Sequence, residues 1–85
     1  MSSPQQLHLE VVTPKGNVVQ ARADSVTLTS KLGEISILPG HIDLIASLDQ
    51  GPMYYLSQGK KHEHQLGQGI LHVQQDIVRV VVQTG

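Results

Sequence analysis

Eighty-five residues are enough for one domain with a core of its own but modest stability, and the formal charge of −1 is spread thinly along the chain. Only Lys60 and Lys61 are adjacent basic residues, and Tyr54 and Tyr55 are the only aromatic ones, which excludes the basic face of a nucleic-acid binder and a stacking platform for bases or sugars. With no cysteine, a disulfide framework and a thiolate metal site are excluded as well, and the composition agrees with a reducing compartment.

Residues 1–6, Met-Ser-Ser-Pro-Gln-Gln, read as an irregular polar tail, without the basic and apolar regions of a signal peptide. Residues 7–85 read as the folded domain. In Leu7-His-Leu-Glu-Val-Val the apolar side chains fall at 7, 9 and 11, the period of a strand with one wet face. Pro14-Lys-Gly-Asn supplies a turn. Val26-Thr-Leu-Thr alternates again, Ser30-Lys-Leu-Gly turns, and Glu34-Ile-Ser-Ile places Ile35 and Ile37 inward. Leu38-Pro-Gly-His is a rigid stop, because Pro39 lacks a backbone donor and Gly40 permits a sharp reversal.

The stretch from His41 to Leu48 carries two periods. Ile42, Ile45 and Ala46 lie at helical spacing, whereas Ile42, Leu44, Ala46 and Leu48 alternate between Pro39-Gly40 and Gly51-Pro52, and strand is the favoured reading. Asp49-Gln-Gly-Pro, Gln58-Gly-Lys-Lys and Gly67-Gln-Gly are further turns. Ile77-Val-Arg-Val-Val-Val closes the chain with β-branched residues, Val78, Val80 and Val82 sharing one face. The sum is an all-β fold: a flattened antiparallel β-sandwich of about eight to ten short strands. The longest apolar runs are far short of the roughly 20 residues that span a bilayer, so direct membrane insertion is not expected.

Chemistry is sparse. His62 and His64 are two apart, which on a strand puts both rings on one face, with His8 or His72 as a conceivable third metal ligand. The alternative is a solvated polar edge, and no metal site is assigned. The serines lack a Gly-x-Ser-x-Gly elbow, the acids are too dispersed for a carboxylate pair, and Gly67-Gln-Gly69 lacks the Lys-Ser/Thr of a phosphate loop. No catalytic residue, cofactor or nucleic acid is therefore expected.

Gly33-Glu-Ile-Ser-Ile-Leu-Pro-Gly-His, running into an apolar strand, resembles the signature of the epsilon subunit of F-type rotary ATP synthases. Gln68-Gly-Ile-Leu-His-Val, with its turn and closing strand, resembles a second motif of that family, and Leu7-His-Leu-Glu-Val-Val-Thr-Pro resembles its first strand. Ser36, Gln68 and Asp43 depart from the usual residues, and the Pro-Gly-His-x-Asp pattern is also similar to variant epsilon subunits of sodium-linked enzymes. The resemblance implies a non-catalytic adaptor in the central stalk, gripping the gamma subunit and resting on the ring of c subunits. It would be a peripheral subunit on the cytoplasmic face of the inner membrane.

By position, the resemblance assigns Gly33 and Glu34 to the c-ring loop and Thr13, His41 and Ala46 to the gamma side. Family members commonly continue into a C-terminal helical hairpin. That hairpin is absent from this chain up to Gly85, so neither nucleotide binding nor inhibition by an extending hairpin is expected of it. Rival readings are a stand-alone β-sandwich interaction module and a His-based metal-binding protein.

Overall fold

Alternation decides nearly every element. The computed structural model describes residues 6–40 and 43–83, and residues 1–5, His41, Ile42, Thr84 and Gly85 lie outside the described residues. Nine strands follow one another: β1 (Leu7–Thr13), β2 (Gly16–Ala23), β3 (Ser25–Ser30), β4 (Gly33–Ile37), β5 (Leu44–Leu48), β6 (Gly51–Ser57), β7 (Lys60–Leu66), β8 (Gly69–Gln74) and β9 (Ile77–Val82). There is no helix among the described residues. The ambiguous stretch is strand from Leu44 on: Leu48 is buried, Leu44 and Ala46 are half-buried, and Ile45 points to solvent.

The strands form one curled sheet in the order β2-β1-β9-β8-β5-β3-β6-β7, with β4 on the remaining side of β3. Its two halves fold face to face. Leu7, Leu9 and Val11 of β1, Leu71 and Val73 of β8, and Val78 and Val80 of β9 line one inner face. Val26, Leu28, Ile37, Met53 and Tyr55 line the other. Each fully buried Leu or Ile contributes about 1.5–3 kcal/mol relative to an exposed one, so these alternating rows carry the fold.

One pairing is parallel. β1 lies beside β9 in the register Leu9↔Val78 and Val11↔Val80, with the rest of the chain as the crossover that a parallel pair requires. The halves join where β3 changes partner along one edge. Ser25–Thr27 pair with β6, but Ser30 pairs with Leu48 of β5. Lys31 N–H donates to Ser47 O (3.2 Å) and Asp49 N–H to Thr29 O (3.1 Å) at this corner.

Candidate docking surface

Two hairpins are built by the same local device. In β1–β2, the Thr13 hydroxyl donates to Gly16 O (3.1 Å) and accepts from Lys15 N–H (3.1 Å). In β3–β4, the Ser30 hydroxyl donates to Gly33 O (2.6 Å) and accepts from Leu32 N–H (3.1 Å). Gly16 and Gly33 take φ of 120° and 127°, values that side-chain-bearing residues rarely adopt. A small hydroxyl followed three residues later by glycine therefore sets each tip. In β3–β4 that fixed tip holds Leu32 completely exposed, with Glu34 beside it.

Beside this tip runs a groove with a volume of about 610 Å³, open to solvent. Leu32, Glu34 and Ile35 form one wall, and Ile45, Ala46 and Ser47 of β5 form the other. Glu34 is exposed and has no ion pair among the described residues, where Arg79 and Glu10 make the one salt bridge (2.9 Å). Of the residues singled out in the sequence, the structure brings Gly33, Glu34 and Ala46 together along this groove. Thr13 sits in a different hairpin with its hydroxyl already engaged in the turn. His41 lies outside the described residues. Its neighbour Gly40 stands past the far end of β4, about 13 Å of strand away from Gly33.

The Gly40 corner is tied to a turn that no glycine or proline announces. Gln75 and Asp76 both have positive φ (50° and 64°), and the Asp76 carboxylate accepts a 2.7 Å bond from Gly40 N–H. Asp43 accepts a longer bond, 3.4 Å, from Gln75 N–H. The signal available in sequence was the aspartate, one of the few side-chain-bearing residues that tolerate the left-handed region.

His62 and His64 do share a face, but it is the inward one. Both rings lie parallel to the Tyr55 ring, with centroids at 4.7 and 6.0 Å. β7 is nonetheless the solvated polar edge weighed above, with His62 exposed and His64 half-buried where their rings lie over Tyr55. His8 and His72 occupy exposed positions whose neighbours face the core of the other half-sheet. Among the described residues no group of three His, Cys, Asp or Glu side chains is placed to hold a metal ion. Nor is any helix long and apolar enough to cross a membrane.

Comparison with known proteins agrees with this architecture. Residues 6–85 match the family model for the beta-sandwich domain of the ATP synthase delta/epsilon chain. The ATP synthase epsilon chain of Citrifermentans bemidjiense is 38% identical over 80 residues, covering 94% of this chain and 58% of that protein. That of Lawsonia intracellularis is 37% identical over 79 residues, 93% of this chain and 59% of its own length. The chain thus spans about three-fifths of the curated relatives it matches, 58% in the first case.

Among solved structures, a chain of the Euglena gracilis mitochondrial ATP synthase OSCP/F1/c-ring assembly superposes with a TM-score of 0.86 at 22% identity, covering 96% of this chain and 53% of that one. A chain of the Tetrahymena thermophila central stalk/c-ring assembly gives 0.77 at 12% identity, covering 96% and 66%. At those identities the structures speak for the fold, while the sequence match across nearly the whole chain settles kinship. This chain belongs to the ATP synthase delta/epsilon family, as a copy of its beta-sandwich domain.

Proposed function

We propose that the domain is a central-stalk rotor component of an F-type ATP synthase, docked on the gamma subunit and on the c-ring. There it would help couple ion-driven rotation to ATP synthesis. The observation that carries this reading is the 38% identity to ATP synthase epsilon chains over 94% of the chain. In this role the domain is non-catalytic and peripheral, held on the cytoplasmic face of the membrane by its partners, and the transported ion is chosen by other subunits.

Gly33 and Glu34 meet the polar loops of the ring, and Thr13, His41 and Ala46 face gamma. The groove supports a close junction between the two contacts, since Glu34 and Ala46 stand on its opposite walls. What the partners ask of this surface is shape and fixed geometry under torque, not reactivity. The hydroxyl-clamped β3–β4 tip meets that demand.

Co-purification tests the proposal. The chain should elute with gamma and c-ring, and a chain that binds neither defeats it. Glu34→Lys should weaken recovery of the ring several-fold and leave the thermal midpoint nearly unchanged, because an exposed substitution away from the core shifts stability by about 0.5 kcal/mol or less. Unaltered ring recovery would remove Glu34 from the contact.

A further inference from the structure

Among the described residues, β5 leaves the peptide groups of Ile45 without a backbone partner. β5 is laddered to β8 along its whole length, from Leu44↔Val73 to Leu48↔Gly69, but meets β3 only at Ser30↔Leu48. Ser47 O accepts from Lys31 N–H, so it points away from β8. Because strand peptide groups alternate sides with a period of two, those of Ile45 point the same way as those of Ser47. The peptide groups of Leu44, Ala46 and Leu48 point toward β8. The N–H and C=O of Ile45 therefore face the groove, with no partner strand among the described residues.

Exposed peptide groups of this kind are a template for another extended backbone. From this we infer that β5 receives an extended strand from its protein partner, added along the free edge that Ile45 presents. The partner's identity rests on the reading above, in which Ala46 faces the gamma subunit. Two features specify the occupant. The peptide groups of Ile45 ask for a backbone donor and acceptor at strand spacing, which a small anion or a helix does not offer together. Ile45, 73% exposed, and Leu32, fully exposed, give apolar surface to alternate side chains of the incoming segment. The added ladder is short, since the Lys31–Ser47 bond closes the groove at one end and β5 has only five residues.

Residue-resolved amide exchange, on the chain alone and bound to its cognate gamma subunit, is the test. In the free chain Ile45 N–H should exchange quickly and Ala46 N–H slowly. Gamma should slow Ile45 at least tenfold and barely alter Ala46. Ile45→Pro deletes the groove-facing N–H and spares every bond to β8, so it should weaken gamma binding at least tenfold. Ile45→Ala, which keeps the N–H, should retain the protection. Gamma binding without protection at Ile45, or protection produced by the c-ring alone, overturns strand addition and leaves the docking reading in place. Failure of gamma to bind overturns both. If Ile45→Pro does not fold, exchange in the unaltered chain decides.

Discussion

At Gly69 the reason for a glycine is contact, not conformation. It opens β8 between Leu48 of β5 and Val82 of β9, and a Cβ there would collide with the Val81 carbonyl oxygen. The backbone of β9 cannot yield without shifting the ladder that carries Val80 and Val82. Gly69→Ala should therefore cost about 1–3 kcal/mol, as overpacking of a filled interior does, read as a lower urea midpoint with an unchanged slope. A loss under a few tenths would mean that β8 and β9 slide apart easily. The histidines give a second check at this scale. With His62 and His64 set against Tyr55 and no third ligand placed beside them among the described residues, zinc should leave the unfolding midpoint unmoved, whereas a structural site would raise it by many degrees.

Among the elements, the β8–β9 turn carries more than its length suggests. Its Asp76 accepts the Gly40 N–H, and its Asp76 O accepts the N–H of His8 at the start of β1 (2.8 Å). Asp76→Ala loses the carboxylate and places an alanine at a φ of 64°, each worth about 1 kcal/mol. Asp76→Gly loses only the carboxylate, so it should be the milder of the two, while both speed exchange at Gly40 N–H. Equal stabilities would show that the backbone conformation is not strained.

This turn also marks a limit of sequence reading. Strand faces were legible because burial follows a period of two: Val78, Val80 and Val82, or Leu44, Ala46 and Leu48, declare themselves. Hairpins were legible where Gly16, Gly33 or Gly59 supplies positive φ. Gln75-Asp76 carries no such residue, so its turn is marked by the motif likeness and not by local residue type. Pairing was not legible at all, since alternation says which way Val80 faces but not that β9 lies parallel to β1. The groove depends on where β3 exchanges β6 for β5, a long-range event that no local pattern records. Motif likeness marked Gly33, Glu34 and Ala46, but only the fold brings them to one surface.

For the whole molecule the governing problem is edges. A curled sheet that does not close ends in β2 and β7, with β4 a third edge beside β3, and each exposes backbone able to pair with another copy. β7 meets this with side chains of two kinds. Its inward His62 and His64 cover Tyr55, while its outward residues include Lys61, whose ammonium lies 4.3 Å from the Tyr54 ring centroid, and Glu63, which accepts a 3.1 Å bond from Gln65. Charges standing along an edge must be desolvated, or brought beside their own kind, when two such edges meet. Replacing Lys61 and Glu63 together by threonine keeps a good strand former at both positions and leaves the formal charge at −1, since one cation and one anion are removed. The variant should stay folded but sediment with a larger weight-average mass than the parent at the same concentration, more so as concentration rises. Identical sedimentation of the two would mean that the twist of β7, rather than its charges, keeps the edge from pairing.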